Sequence, residues 1–212
     1  GYKRVSVFAL AQKILNLRRF FSWQAFFSQK KSNMPAQAHV YWITGLPASG
    51  KTSLAHALSQ ALSISGRLSY VLDGDDLRRG LCSDLGLSAA DRSENIRRAG
   101  EVARLMVNAG ITVVCAFVSP FAAGRQRVRA LFDPAQFVEI FLSTSVDECA
   151  RRDPKGLYAK AKAGQLTGLT GWDAPYESPN HPEFVFDTET LSIEAMVQTI
   201  LDQRFHPLCL FD

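Results

Sequence analysis

The chain has 212 residues, of which 47% are hydrophobic and 21% are charged, and these values are typical of one soluble globular domain. Its net charge of +4 is unevenly distributed, because residues 1–33 hold seven of the 24 basic residues and no acidic residue. The remaining sequence therefore has 17 basic against 20 acidic residues, which gives no support to a basic face that binds nucleic acid.

Residues 1–33 are apolar but are interrupted by Lys13, Arg18 and Arg19, so no run reaches the roughly 20 residues that a membrane span requires. Three interpretations remain open. The segment could be a basic amphipathic stretch that contacts a membrane or a partner, a targeting peptide, or a part that does not belong to the mature protein. The abrupt change in composition before Met34 favours the last, and we predict a folded domain over residues 34–212.

Strands and helices alternate from Met34 onward. The first predicted helix ends at Gly66, and a long helix begins at Ser88, where Asp91 completes a Ser-x-x-Asp start signal, and ends at Gly110. The predicted strands are "HVYWITG", "RLSYVLDGD", "ITVVCAFVSP", "FVEIFLSTS" and "EFVFDTET", and the predicted helices are "KTSLAHALSQALSISG", "SAADRSENIRRAGEVARLMVNAG", "GRQRVRALF", "SVDECARRD" and "SIEAMVQTILDQRF".

This alternation predicts an α/β fold with a five-stranded parallel sheet and helices on both faces. Residues 154–182 are rich in Gly, Pro and Lys and look too polar for a core, so we predict that they form a mobile lid. Ligands of such sheets bind at the carboxyl ends of the strands. Gly45, Asp73, Asp75 and Ser119 are all expected at that edge.

The stretch "GLPASGKT" has the Gly-x-x-x-x-Gly-Lys-Thr spacing of a P-loop, and it lies between a predicted strand and a predicted helix. Glycines allow backbone N–H groups to curl around phosphate oxygens, and the helix directs its positive end at them. The pattern therefore predicts a three-layer P-loop NTPase fold that binds ATP with Mg²⁺. The lysine contacts the β- and γ-phosphates and the threonine hydroxyl binds the metal. The predicted nucleotide-binding residues are Gly45, Leu46, Pro47, Ala48, Ser49, Gly50, Lys51 and Thr52.

Two carboxylates, Asp73 and Asp75, follow the second strand. Residues i and i+2 of an extended chain point the same way, so both would face the phosphate site. There they could hold Mg²⁺, which we assign to Asp73, and accept a proton from an attacking hydroxyl. The alternative is an acidic turn that only caps the next helix, a role that fits Asp76 better.

Arg92 and Asn95 lie three residues apart on the predicted long helix and share one face, with Arg78 earlier in the chain. Such groups can bind phosphate or sulfate oxygens in a forked arrangement. A solvated face in which these residues pair with Glu94 or Glu101 is the alternative. The position after the acidic strand end favours a face for an anionic substrate.

Ser119 ends the third strand and precedes a proline. Its hydroxyl could touch the transferred phosphoryl group or the acceptor. A serine that only begins a turn is an equally good interpretation.

Cys82, Cys115, Cys149 and Cys209 are far apart and form no Cys-x-x-Cys pair. This spacing predicts buried or idle thiols in a reducing cytosol rather than a disulfide or metal framework. We therefore expect a cytoplasmic protein.

Taken together, the motifs resemble those of the adenylylsulfate kinase family, whose members phosphorylate the ribose 3′-hydroxyl of adenosine 5′-phosphosulfate. The resemblance spans residues 41–180 in family order. The "ENIRR" helix and the lid from "RDPKGLY" to "APYE" distinguish this family among P-loop kinases. The matching segments are "WITGLPASGKTSLA", "LDGDDLRRGL", "DRSENIRRAGEVARLMVNAG", "FVSPF", "RDPKGLYAKAKAGQ" and "TGWDAPYESP".

The resemblance implies that Asp75 lies near the 3′-hydroxyl with Asp73 beside it, and that Ser119 matches a serine described as a phosphoserine intermediate. Direct in-line transfer needs no such intermediate. The resemblance also implies a homodimer, which is usual in the family, and a fusion or complex with ATP sulfurylase stays open. The substrate-binding residues that the resemblance implies are Arg78, Leu87, Arg92, Asn95, Phe117, Val118 and Leu169.

The sequence departs from the family at the expected adenine contacts. Leu87 and Leu169 replace two phenylalanines, Thr167 replaces a lid lysine, and Asp76 stands where asparagine is usual. Stacking on an aromatic ring contributes about 0.5–1.5 kcal/mol beyond buried area. We therefore predict weaker substrate binding with the chemistry retained.

Two other functions remain open at this point. One is a P-loop kinase for another small molecule, such as gluconate, shikimate or an antibiotic hydroxyl, against which the family-specific segments argue. The other is a nucleotide-binding regulatory module that has lost catalysis, which the altered lid suggests. Lys51, Thr52, Asp73 and Asp75 are intact and argue against such a loss.

Overall fold

The computed structural model describes residues 37–205. The interpretations of residues 1–33, including membrane contact, and the prediction for Cys209 lie outside that range. No helix among the described residues is both long and apolar enough to cross a membrane. Cys82, Cys115 and Cys149 are buried free thiols, which confirms the expectation for these three.

The centre of the fold is a parallel five-stranded sheet in the order β2-β3-β1-β4-β5, which confirms the predicted α/β architecture. Because each strand runs parallel to its neighbours, all carboxyl ends meet at one edge. The strands are β1 (Val40–Gly45), β2 (Ser69–Asp73), β3 (Thr112–Ala116), β4 (Phe137–Leu142) and β5 (Phe184–Phe186).

Seven helices connect and flank these strands within residues 37–205. Five of them match predicted helices. Two do not: α2 begins directly after β2, where the predicted strand continued, and α6 lies inside the predicted lid. The helices are α1 (Lys51–Ile64), α2 (Gly74–Arg79), α3 (Ala89–Asn108), α4 (Ala122–Arg129), α5 (Val146–Arg152), α6 (Leu157–Lys162) and α7 (Ile193–Phe205).

The long helix α3 begins and ends as its sequence signals predict. The Ser88 hydroxyl accepts a hydrogen bond from the Asp91 amide at 3.1 Å, which satisfies one of the amides left open at a helix start. At the other end, Gly110 has φ 85°, a conformation that glycine adopts without steric cost.

Helices cover both faces of the sheet. In β1, Tyr41 and Ile43 pack against α1 and α7, whereas Trp42 packs on the opposite face against α3 and α4. All three side chains are fully buried. Alternate residues of a strand point to opposite faces, so a strand buried on both sides is mostly apolar, as β1 and β3 are apart from Thr44 and Thr112.

Residues 154–182 contribute a small core of their own. Tyr158 and Leu169 pack with Leu46 and Cys149, and the two lid side chains are 3% and 6% exposed. The prediction that this segment is too polar for a core was therefore wrong. A few apolar side chains spaced among its glycines and lysines are enough to pack the segment against the P-loop. We keep the name lid segment for residues 154–182.

Candidate active site

The P-loop connects β1 to α1 through backbone angles that only some residues tolerate. Gly45 has φ 154°, and a Cβ atom there would lie 2.8 Å from the Leu142 carbonyl oxygen. Gly50, the residue that caps α1, has φ 97°, and Ala48 has φ 64°. These angles turn the loop tightly ahead of a helix whose first amides are unpaired, which is the arrangement that binds phosphate.

Lys51 is the buried cation of this loop. Its ammonium donates to the Leu46 carbonyl oxygen at 2.6 Å, and the side chain is 9% exposed. Burial lowers the pKa of Lys51 to about 8, whereas attraction to Cys149, Asp73 and Asp75 acts in the opposite direction. A buried ammonium with one carbonyl partner is stabilised by any anion that enters beside it.

Thr52 and Asp73 form the link between the P-loop and the acidic strand end. The threonine hydroxyl donates to the Asp73 carboxylate at 2.8 Å. The other carboxylate oxygen accepts from the Asp75 amide at 2.9 Å, so Asp73 is also the N-cap of α2. The prediction that Asp76 suits this capping role better was wrong; Asp76 instead forms an ion pair with Arg79.

Asp75 already belongs to α2, so the premise that Asp73 and Asp75 lie on one extended strand was wrong. The turn into the helix nevertheless keeps both residues on the wall of one cavity. Asp75 forms an ion pair with Lys155 of the lid segment, 80 residues away. Sequence reasoning did not single out Lys155, because its position gave no signal that distinguishes it from Lys160 or Lys162.

A cavity of about 980 Å³ lies at the carboxyl edge of the sheet and brings most of the predicted site residues together. Gly45, Leu46 and Ser49 belong to the P-loop but do not line the cavity. Its lining includes Pro47, Ala48, Gly50, Lys51, Thr52, Asp73, Asp75, Arg78, Leu87, Arg92, Asn95, Phe117, Val118, Ser119, Lys155 and Leu169.

Arg92 joins α3 to the lid segment. Its guanidinium donates to the Thr170 hydroxyl at 2.7 Å and to the Gly168 carbonyl oxygen at 2.6 Å. Burial lowers the pKa of Arg92, and repulsion from nearby Arg78 lowers it further. The alternative pairing with Glu94 is not formed, because Glu94 binds Arg97 and Arg98. Two neighbouring cations on a cavity wall favour an anionic ligand.

Asn95 supplies a further polar group to the same wall. The side chain is 4% exposed, and its amide nitrogen has no hydrogen-bond partner among the described residues. A buried donor without a partner costs about 1–3 kcal/mol, so a ligand atom that accepts its hydrogen bond would be favoured.

Ser119 lies on the cavity wall, but its hydroxyl is engaged in the core. It accepts from the Trp42 indole nitrogen at 3.1 Å and donates to the Thr44 hydroxyl at 2.9 Å, and the residue is 2% exposed. Phe117, two residues earlier, stacks on Trp42 with ring centroids 5.0 Å apart. The catalytic assignment of Ser119 stays a prediction, and the contacts seen here are those of a residue that fixes a loop.

The two leucines expected near adenine differ in environment. Leu87 is 52% exposed at the rim of the cavity, whereas Leu169 is 6% exposed within the lid cluster. Both line the cavity, so the prediction that they pack on a base remains open to test.

A parallel sheet with a P-loop after β1, acids after β2 and a lid segment over the same cavity defines a P-loop kinase. The model of the adenylylsulphate kinase family matches residues 37–187. The chain belongs to this family.

Individual relatives agree with that membership. The chain is 57% identical over 162 residues to an adenylyl-sulfate kinase of Geotalea uraniireducens, a match that covers 76% of this chain and 78% of that protein. It is 50% identical to the bifunctional enzyme NodQ of Azospirillum brasilense, covering 77% of this chain but 26% of NodQ. The solved structure of Mycobacterium tuberculosis APS kinase CysC in complex with AMPPNP and APS superposes with a TM-score of 0.76 at 44% identity, covering 79% and 98% of the two chains.

Proposed function

We propose that this chain transfers the γ-phosphoryl group of ATP to the ribose 3′-hydroxyl of adenosine 5′-phosphosulfate. The observation that carries the proposal is the shared cavity. Lys51 and Thr52 of the P-loop line the same cavity as the acids after β2 and the cationic face of α3. Donor and acceptor sites in one cavity are what a direct phosphoryl transfer requires.

The P-loop fits a nucleoside triphosphate. Its turn places the amides at the start of α1 beside Lys51, whose buried ammonium gains an anionic partner when phosphate binds. We expect this ammonium to stabilise the charge that develops on the transferred group, because it is buried beside the loop that would bind the phosphates.

The hydroxyl of Thr52 and the carboxylate of Asp73, 2.8 Å apart, fit Mg²⁺, which prefers oxygen donors and keeps several waters. When bound, the ion neutralises charge on the β- and γ-phosphates. Asp73 would act on it directly or through water, while remaining the N-cap of α2.

The acceptor fits another part of the same cavity. Arg78, Arg92 and Asn95 present two cations and one unpaired donor to the cavity, which suit the phosphosulfate group. Leu87 and Leu169 provide apolar surface for the adenine.

We assign to Asp75 the role of the base that accepts the proton of the acceptor hydroxyl. In the proposed step the 3′-oxygen forms a bond to the γ-phosphorus, the bond from that phosphorus to the departing ADP oxygen breaks, and the hydroxyl proton passes to the Asp75 carboxylate. Lys155 must then release Asp75 or share it, since the two form an ion pair.

The decisive experiment is an ADP-release assay with Mg²⁺ and ATP, run with adenosine phosphosulfate, with gluconate, with shikimate and with no acceptor. We expect release that depends on adenosine phosphosulfate alone. Release with another acceptor would replace the proposal with a different small-molecule kinase, and ATP binding without any release would point to a regulatory module.

We also infer a homodimer in the cytoplasm. The family resemblance supports the dimer, and light scattering on the purified chain tests it. A complex with ATP sulfurylase is a further proposal, in view of the bifunctional relative NodQ, and co-purification of the two activities would test it.

A further inference from the structure

The loop Phe117–Pro120, here called the acceptor loop, follows β3 and lines the cavity. Its backbone is held from below. The Val118 carbonyl oxygen accepts from the Thr44 hydroxyl at 2.7 Å, and the Ser119 carbonyl oxygen accepts from Arg125 at 2.7 Å. Ser119 has φ 38°, a strained angle for a residue with a side chain, so these bonds must maintain the loop in its shape.

The carboxyl-terminal part of the lid segment is attached to the same loop. The Glu177 amide donates to the Pro120 carbonyl oxygen at 2.8 Å, and the Glu177 carboxylate accepts from the Ala122 amide at 2.6 Å. The Tyr176 hydroxyl lies 3.0 Å from the Thr44 hydroxyl. The lid segment is thus fixed to the acceptor loop at this end.

Arg125 of α4 connects these two parts. Its guanidinium donates to the Ser119 carbonyl oxygen at 2.7 Å and to the Glu177 carbonyl oxygen at 2.6 Å, and it forms an ion pair with Glu139 at 3.0 Å. The side chain is 3% exposed and does not line the cavity. A planar fork of donors can hold several acceptors at fixed angles, which one lysine ammonium cannot do.

We propose that Arg125 is a positioning residue for the reaction. It fixes the acceptor loop and the carboxyl-terminal end of the lid segment to each other, so that the acceptor side of the cavity keeps one geometry. The P-loop is outside this set of contacts. The inference rests on the proposed function, and it predicts that Arg125 affects the acceptor and leaves ATP binding intact.

Arg129 provides a matched control. It lies one turn further along α4 and also binds Glu139, at 3.2 Å. Its other contacts are the Glu183 carboxylate and the ring of Phe137, and among the described residues no hydrogen bond or ion pair joins it to Ser119 or the lid segment. The experiment compares Arg125→Lys with Arg129→Lys. It measures the KM for adenosine phosphosulfate, the Kd for ATP from titration of a fluorescent analogue without acceptor, and the Tm.

Arg125→Lys should raise the KM about tenfold and change the Kd for ATP less than twofold, because lysine keeps a charge beside Glu139 but cannot bridge both carbonyl groups. Arg129→Lys should leave both constants within twofold. Equal effects of the two variants on the KM, or a parallel loss of ATP binding, would overturn the inference.

If Arg125→Lys melts below the assay temperature, both constants are measured for wild type, Arg125→Lys and Arg129→Lys at a temperature below the Tm of Arg125→Lys. A raised KM at unchanged Kd again supports the positioning role, and an unchanged KM overturns it. A wild-type chain without acceptor-dependent ADP release would instead overturn the proposed function.

Discussion

The Thr52 hydroxyl donates to the Asp73 carboxylate at 2.8 Å, which joins the first turn of α1 to the last residue of β2. The two residues meet although β3 separates β1 from β2 in the sheet. This contact brings the phosphate-binding loop and the acids after β2 into one site. Asp73 has two duties there, since it also caps α2.

The two duties of Asp73 can be separated by substitution. Asparagine caps helices as well as aspartate does, so Asp73→Asn should change the Tm little. The lost charge should lower activity at limiting Mg²⁺ about 10–100-fold. Asp73→Ala should lose about 1 kcal/mol of stability in addition. Magnesium titrations of the rate, with thermal unfolding of both variants, test this, and an unchanged Mg²⁺ requirement in Asp73→Asn would contradict the assignment.

Asp75 and Asp76 are adjacent carboxylates with similar exposure, so they form a matched pair. Asp75→Asn should lower kcat about 100-fold or more, as expected for loss of a general base. Asp76→Asn, which breaks only an exposed ion pair with Arg79, should change kcat less than twofold. Steady-state rates at saturating substrates decide between them. Comparable losses in both variants would indicate a general effect of charge rather than a base.

Lys51 should give the protein a pH-dependent stability. Burial lowers the pKa of Lys51 from 10.5 to about 8, so from pH 8 to 10.5 the unfolded chain holds a proton that the folded chain has lost. Stability from this group therefore rises with pH across that window. Below pH 8, Lys51→Met should be more stable than wild type without nucleotide, by about 2–3 kcal/mol at most, and the difference should shrink by pH 10.

Thermal unfolding of Lys51→Met and wild type from pH 7 to 10, with and without ATP, provides the measurement. Lys160→Met, at an exposed position of α6, is the control and should show no such trend. ATP should raise the Tm of wild type and of Lys160→Met but not of Lys51→Met. A constant difference between Lys51→Met and wild type at all pH values would contradict the burial argument.

The order of strands and helices could be predicted because each buried strand reads as an apolar run and each long helix has its own start and end signals. The short helix α2 was missed for a physical reason: it has six residues and none of them is buried, so no apolar stripe marks it. Its cap, Asp73, resembled a strand residue.

The P-loop could be predicted because its chemistry depends on local spacing. Contacts between distant segments could not. The ion pair of Asp75 with Lys155 joins residues that are 80 positions apart in the chain. The hydrogen bond from Arg125 to the Glu177 carbonyl oxygen spans 52 positions. In the sequence Arg125 belongs to the predicted helix "GRQRVRALF", and nothing in that stretch marks it as buried. Only the fold buries this side chain and pairs it with Glu139 of β4.

Replacement of each of the two cavity leucines by phenylalanine should affect substrate binding and stability differently. Leu87→Phe adds a ring at an exposed rim and should lower the KM for adenosine phosphosulfate about two- to tenfold, with the Tm unchanged. Leu169→Phe must fit beside Leu46 and Tyr158, so it should also cost about 1–3 kcal/mol from overpacking. Kinetics and thermal unfolding of the single and double variants test this. No tightening in the double variant would contradict the adenine assignment.

Ser119 offers a test between a phosphorylated intermediate and a fixed loop. Its hydroxyl lies between Trp42 and Thr44 in the core, and in-line transfer requires only positioning and charge stabilisation. Ser119→Ala should therefore retain turnover within about tenfold. It should lose about 1–3 kcal/mol of stability, because the buried indole N–H of Trp42 loses its partner.

The measurement pairs kcat at saturating substrates with thermal unfolding. Ser119→Ala should remain active, since the hydroxyl does not need to carry phosphate, while the Tm falls. Intact protein mass after incubation with ATP alone should show no added phosphoryl group. A stable Ser119→Ala protein that has lost turnover by 1,000-fold or more would require covalent participation of the hydroxyl, because loss of one positioning hydrogen bond does not remove that much transition-state stabilisation.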